Sequence, residues 1–290
     1  MKFEIYDLSL SIADNDILSD FNLICNEPQI IGVVGRNGSG KTTLFKSIIG
    51  IYEPNSGEIY LNGENTRYNS GLLNDIIYVP DRFDYFVNFK LKKVIDIYKN
   101  TYDKFDVEKF FRLKDDIGLF IDKDTLLSTL SKGELVLLAI ILAKAVNAKV
   151  LLIDEPYDGI DIINTKKLTK LILEEEGKII IISSHKLEYL QKLTSRIVYI
   201  DKDKKEDDIN LEDNRNIHKF QIVVKDKIPD KILNDERIHI TSNLGRVAIL
   251  LFEMNKEEAH NILNCEEIVQ YDNLILTIED IFTIKNKESK

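Results

Sequence analysis

The chain has 290 residues, 44% of them apolar and 30% charged, which excludes wholesale disorder and leaves room for more than one domain. A net charge of −10 argues against a general nucleic-acid binder with a basic face, so no nucleic-acid partner is expected. Cys25 and Cys265 stand far apart without metal-site spacing and no run of about 18 apolar residues occurs, so a disulfide framework, a zinc site and a membrane span are all excluded as expectations.

Residues 3–24 alternate between apolar and polar and break at Asp14-Asn15-Asp16, the pattern of a hairpin. Residues 29–34 form a short apolar run that leads into Gly35-Arg36-Asn37-Gly38-Ser39-Gly40-Lys41-Thr42, and from Thr42 and Thr43 to residue 49 the spacing is helical, stopped by Gly50. A strand, a glycine loop and a helix in this order make a phosphate-binding site. Backbone N–H groups free of side chains wrap phosphate oxygens, and the helix N-terminus adds partial positive charge. Lys41 reaches the outer phosphates, Thr42 offers its hydroxyl to Mg²⁺, and Gly35 to Thr43 together are read as the nucleotide-binding stretch, with ATP as the ligand.

Residues 57–62 and 75–79 read as strands, and the spacing then turns helical and charge-rich over 88–127. After Leu130, Ser131 is a good N-cap with Glu134 three residues on, so a capped helix is predicted to about residue 146 and the whole helical insert spans about 88–147. Residues 149–153 and 178–183 are Ile- and Val-rich runs typical of parallel strands buried on both faces, with a helix over 161–176 between them. The first run delivers Asp154 and Glu155 to a strand end, where a parallel sheet places its ligand crevice, and the second leads through Ser183 and Ser184 to His185. The fold class is therefore α/β with a doubly wound core. Residues 206–216 lose periodicity and read as a linker. Residues 217–290 read as a small α+β domain with strands at 218–224, 238–241, 247–252 and 267–271, helices at 230–233 and 256–263, and a terminal helix from Ile278. The order β-α-β-β-α-β suggests a ferredoxin-like sheet.

Leu130-Ser131-Lys132-Gly133-Glu134 lies between the glycine loop and the Asp154-Glu155 pair. The ordered set resembles the nucleotide-binding subunits of ATP-binding cassette (ABC) transporters, whose hallmark is an LSGGQ-type signature between the Walker A and Walker B motifs. The resemblance covers about residues 1–200 and implies an ATPase domain over 1–205, a P-loop NTPase core with antiparallel β and helical subdomains. It also implies that Thr42 and Asp154 hold Mg²⁺, that Glu155 polarises the attacking water, and that His185 is the switch histidine at the γ-phosphate. Asp161 matches the family's D-loop aspartate and is equally a helix N-cap. Ser131 and Gly133 are similar to residues that close over ATP bound to the opposite subunit, which implies a homodimer or heterodimer of ATPase subunits. A separate polytopic membrane subunit would complete the machine, with this chain peripheral at the cytoplasmic face of the membrane.

The chain also departs from the family pattern. Lys132 replaces the first signature glycine, and either adds charge near a γ-phosphate or points to solvent; Glu134 replaces the glutamine. Asp81 stands where the family has a glutamine, and its carboxylate can bind metal or water but cannot donate a hydrogen bond. Ser11-Ile12-Ala13 occupies the place of the adenine-stacking aromatic, so Ile12 is expected to pack on the base. The run from Leu276 to Phe282 resembles the "LEDIF" ending of cassette ATPases that serve ABC-2-type exporters, and the chain looks like the ATPases of staphylococcal phenol-soluble modulin exporters. That resemblance implies a peptide, toxin or drug-like cargo. The alternative is a soluble regulatory or translation/repair-type cassette ATPase without a membrane partner.

Overall fold

The computed structural model describes residues 1–13, 15–194, 196–201, 204–210, 214 and 216–287. Strands β1 (Phe3–Ile12) and β2 (Asn15–Cys25) form the antiparallel hairpin, with Ala13 entering its turn at φ 49°; Asp14 lies outside the described residues. β3 (Ile30–Val34) leads into α1 (Lys41–Ile48), and β4 (Ser56–Leu61) and β5 (Glu64–Asn65) return the chain to the hairpin, making a sheet of order β2-β1-β4-β5. β6 (Ile76–Val79) precedes a helical segment of α2 (Leu91–Thr101), α3 (Val107–Asp116) and α4 (Lys132–Ala145). Ten residues of α4 are buried, Gly133 and Leu137 to Ala145, so it is apolar nearly all round, as a helix enclosed by its neighbours must be.

β7 (Val150–Ile153), α5 (Ile162–Leu173), β8 (Ile179–Ser184), the short α6 (Leu187–Leu190), β9 (Arg196–Asp201) and β10 (Lys204–Asn210) complete the core sheet, of order β10-β9-β3-β8-β7-β6. Every residue of β7 and β8 is buried, which explains the solid Ile, Leu and Val content of β7 and of β8 up to Ile182, where Ser183 and Ser184 end the run. Leu44, Phe45 and Ile48 of α1 pack into one core with Phe3, Ile5 and Leu23 of the hairpin and Leu152 and Ile181 of the central strands. The core strands pair in parallel with Val34 beside Ser184, Ile182 beside Ile153, and Val79 beside Ile153. That register aligns the carboxyl ends of β3, β8, β7 and β6, so the segments leaving them emerge at one edge of the sheet.

Two strands correct the sequence reading. No element was assigned to Arg196–Asp201, yet β9 pairs with β3 and buries Ile197, Val198 and Ile200. The stretch 206–216 was expected to be a linker, yet β10 runs through Asn210 and joins the sheet edge beside β9, with Arg196 forked onto Asp208. Its charged residues carry no period-two apolar signal, and pairing with β9 rather than propensity makes it a strand. Residues 211–213 and 215 of the expected linker lie outside the described residues.

The chain divides into two compact units after Asp208. The second contains β11 (Ile217–Val224), α7 (Asp230–Leu233), β12 (Ile238–Leu244), β13 (Val247–Glu253), α8 (Lys256–Leu263), β14 (Ile268–Leu274) and α9 (Ile278–Lys287). Its sheet is antiparallel throughout in the order β12-β13-β11-β14, the arrangement a ferredoxin-like β-α-β-β-α-β chain produces. Phe220, Ile222, Leu250 and Phe252 of the sheet and Ala259 and Leu263 of α8 form its core. Among the described residues no helix is long and apolar enough to cross a membrane.

Candidate nucleotide site

The aligned strand ends frame a cleft of about 560 Å³. Its walls come from the glycine loop and start of α1 (Asn37, Gly38 and Gly40 to Thr43), from the segment after β6 (Asp81, Arg82), from Glu155 and Asp158 after β7, and from His185 after β8. Ile17 and Lys132 complete the lining. Gly40 enters α1 at φ 103° with the Ile17 carbonyl 3.0 Å from where a Cβ would stand, so both conformation and space require glycine there. No side chain caps α1, and Ser39 buries a hydroxyl without a hydrogen-bond partner among the described residues. An uncapped helix start, a glycine turn and a spare buried hydroxyl fit an anion with many oxygen atoms.

Lys41, only 5% exposed, donates to the carbonyls of Gly35 (2.7 Å) and Arg36 (3.2 Å) and forms an ion pair with Glu155 at 3.2 Å. The loop thus curls around its own ammonium group. Thr42 Oγ1 donates to Asp154 Oδ2 at 2.6 Å, bringing together the two side chains expected to hold Mg²⁺. Asp154, 1% exposed, accepts two more hydroxyl donors, Tyr78 on Oδ2 at 3.1 Å and Ser183 on Oδ1 at 2.5 Å. Ser183 in turn accepts the backbone N–H of Glu155 at 2.9 Å and so fixes both carboxylates to β8. Burial, together with the neighbouring Asp154 carboxylate, pushes the Tyr78 phenol well above its usual range, so it stays a proton donor. An aspartate beside a threonine hydroxyl is the oxygen donor set a hard dication takes, which fits Mg²⁺.

Glu155 holds φ 44°, a left-handed conformation that costs a non-glycine residue on the order of 1 kcal/mol and is often found at functional sites. Its Oε2 accepts the backbone N–H of His185 at 3.1 Å and lies 2.8 Å from the His185 Nδ1. One carboxylate therefore stands between the lysine of the glycine loop and the histidine after β8.

Other predicted residues take different places. Gly35, Arg36 and Ser39 belong to the loop without lining the cleft, and Ile12, 39% exposed at the end of β1, is absent from its wall where Ile17 is present. Asp81 lines the cleft but is exposed, and among the described residues no three His, Cys, Asp or Glu side chains gather to hold a cation by themselves. Ser131 caps α4 in a reciprocal box with Glu134, and Gly133 packs against Asn164; neither lines this cleft. Asp161 caps α5 through the N–H groups of Ile163 (2.9 Å) and Asn164 (3.0 Å). Tyr78 and Ser183 escaped the sequence reading. The usable signal was the polar residue that interrupts each apolar run near a strand's carboxyl end.

Residues 18–158 match the family model described as ABC transporter. The ABC transporter ATP-binding protein YtrB of Bacillus subtilis is 27% identical over 286 residues, 97% of this chain and 97% of that protein. The lipopolysaccharide export system ATP-binding protein LptB of Haemophilus influenzae is 26% identical over 80% of this chain and 92% of its own length. The arabinose import ATP-binding protein AraG of Pectobacterium atrosepticum is 30% identical over 62% of this chain and 38% of its own length. A solved structure described as the ATP-binding subunit of an ABC transporter superposes with a TM-score of 0.67 at 23% identity, covering 74% of this chain and 92% of that one, and shows the shared fold.

Proposed function

We propose that the chain carries an ATPase domain of the ABC transporter family, whose model matches residues 18–158, and that it is the ATP-hydrolysing subunit of an exporter, acting at the cytoplasmic face of a membrane on a separate polytopic subunit. The observation that carries the hydrolytic reading is the placement of Glu155 between Lys41 and His185, beside the Thr42–Asp154 pair. Glu155 accepts hydrogen bonds with one carboxylate oxygen and faces Lys41 with the other, so it is held as a base aimed into the cleft, where it polarises water. Lys41 leaves two loop carbonyls and Glu155 to meet phosphate oxygens, and the Glu155 oxygen it releases becomes free for the water proton. Thr42 and Asp154 would hold Mg²⁺, which supplies charge neutralisation at the outer phosphates. His185, hydrogen-bonded to Glu155, orients that carboxylate and can contact the terminal phosphate.

Ser131 and Gly133 lie off the cleft wall of their own chain, which supports their serving nucleotide bound to a second ATPase subunit, in a homodimer or heterodimer. Export rather than import, with a peptide, toxin or drug-like cargo, rests on the terminal Leu276 to Phe282 run, because relatives named for both directions match the chain. The test is affinity purification from detergent-solubilised membranes of its source cell, with Mg²⁺-dependent ATP turnover measured on the product. Co-purification of a polytopic protein that stimulates turnover supports the proposal; turnover with no such partner would favour a soluble regulatory or translation/repair-type ATPase.

A further inference from the structure

The short α6 has four residues, too few to hold a helix by themselves, so its place is set by what its side chains touch. Leu190, fully buried, seats it on β3, where a Cβ at Gly32 would stand 2.9 Å from the leucine Cδ1. Tyr189 stacks on Tyr157, with ring centroids 5.0 Å apart and planes within 9° of parallel. The amine of Lys186 lies 5.8 Å from the centroid of the Tyr189 ring and adds a cation to the same group. Tyr157 is the fixed half of the pair. It is 4% exposed, and its hydroxyl lies 3.2 Å from Thr169 Oγ1 on α5. Thr169 donates its own proton to the Thr165 carbonyl at 2.9 Å, so Tyr157 is the donor to Thr169.

Tyr157 follows Glu155 by two residues, and Tyr189 follows His185 by four. The segments after β7 and β8 are therefore joined twice, by the Glu155–His185 contact of 2.8 Å and by the stacked rings. Only His185 and Lys186 separate β8 from α6, so a shift of α6 moves the imidazole. Glu155, in turn, keeps its left-handed backbone only while the residues around it hold it there. A displacement of about 1 Å at a reacting group can cost a large factor in rate, so the polar contact gains from a second, rigid tie beside it. We propose that the Tyr157–Tyr189 stack is a positioning pair for hydrolysis, which clamps α6 to the segment after β7 and keeps His185 against the Glu155 carboxylate. The assignment rests on the hydrolytic reading of Glu155 and His185.

The experiment compares Tyr189→Leu and Tyr189→Phe in the full-length protein, alone and combined with His185→Ala. Steady-state Mg²⁺-dependent ATP turnover and titration with a fluorescent ATP analogue are measured below the thermal transition of every variant. Tyr189→Leu keeps bulk but has no ring to stack, and is expected to lower kcat about threefold to tenfold while KM and the analogue Kd stay within about twofold of the parent. Tyr189→Met, a pliant side chain of similar reach, should behave as Tyr189→Leu does, independently of how leucine packs. Tyr189→Phe keeps the stack and should turn over ATP close to the parent rate. On the His185→Ala background, Tyr189→Leu should change kcat by less than about twofold, because the residue it positions is gone, whereas a general loosening of the domain would multiply with the histidine loss. Parent-like kcat in Tyr189→Leu, a Tyr189→Phe as slow as Tyr189→Leu, or effects that multiply in the double variant would each overturn the proposal. If Glu155→Gln turns over ATP as fast as the parent, the hydrolytic reading beneath it is overturned instead.

Discussion

The Tyr78 hydroxyl donates to Oδ2 of Asp154 across 3.1 Å, tying β6 to the carboxylate that pairs with Thr42. Tyr78 lies three residues before Asp81, so the segment that carries Asp81 into the cleft is anchored to the Thr42–Asp154 pair. Tyr78→Phe removes the donor and leaves the ring against Phe45. The expected result is a rise of about threefold to tenfold in the Mg²⁺ concentration for half-maximal ATP turnover, with kcat at saturating Mg²⁺ nearly unchanged, because one hydrogen bond to a charged group is lost without a change in the ligands. Initial rates against free Mg²⁺ at fixed ATP check it. A superimposable Mg²⁺ curve would remove Tyr78 from the site.

Glu155→Gln keeps the shape of the side chain and its acceptor oxygen but removes the base. ATP turnover should fall by about a hundredfold or more, the scale of a lost general base, while binding of the fluorescent ATP analogue persists. His185→Ala should reduce turnover less and be partly rescued by imidazole, since it removes a partner of Glu155 and leaves the carboxylate. Steady-state phosphate release on both variants separates the roles. Parent-like turnover in Glu155→Gln would falsify the base assignment.

Much of this site is legible in the sequence because its parts are local. The glycine loop, the Asp154-Glu155 pair and His185 each sit where an apolar run ends, and the parallel register gathers those ends without further information. Ser183 and Tyr78 are harder to read because their roles depend on contacts 29 and 76 residues away in the chain, to Asp154. Ile17 reaches the cleft wall from the hairpin by tertiary packing, a relationship no periodicity contains. β10 is invisible for a related reason, since its sequence matches a solvated loop and its strand conformation is supplied by the β9 edge.

Glu175 makes ion pairs with Lys178 at 2.5 Å, Lys144 at 3.1 Å and Lys109 at 3.5 Å, and Lys144, 2% exposed, also donates to the Leu171 carbonyl. Burial opposes ionisation of Glu175, but the three lysines prevail and hold its carboxyl below the usual range. A depressed folded-state pKa stabilises the fold above the unfolded value of about 4.3, and that contribution is lost as pH falls through the folded value. Glu175→Gln leaves three amines around a neutral amide and should cost about 2 kcal/mol at pH 7, or roughly 4–8 °C in Tm. Thermal melts should show the parent and variant converging as pH drops below about 4. A constant gap down to pH 3 would mean the ionised carboxylate is not the stabilising form.

Gly133 packs against Asn164 so closely that a Cβ would stand 2.4 Å from Asn164 Nδ2 and 2.9 Å from its Cγ. Asn164 cannot retreat freely, because its amide donates to Asp161 Oδ2 at 2.6 Å while Asp161 caps α5. Glycine at position 133 therefore has a reason internal to one chain, the close approach of the starts of α4 and α5. Gly133→Ala should destabilise the domain by about 1–3 kcal/mol, as overpacking does. The double variant Gly133→Ala, Asn164→Ala removes two of the three nearest atoms and should recover part of that loss. The two roles of Gly133 then separate. Recovery of Tm in the double variant without recovery of ATP turnover assigns the glycine a further function beyond packing, at nucleotide bound to a second subunit. Recovery of both assigns it to the α4–α5 contact alone. If Gly133→Ala melts like the parent, the clash is relieved by movement of α4, and the close approach is not what requires glycine.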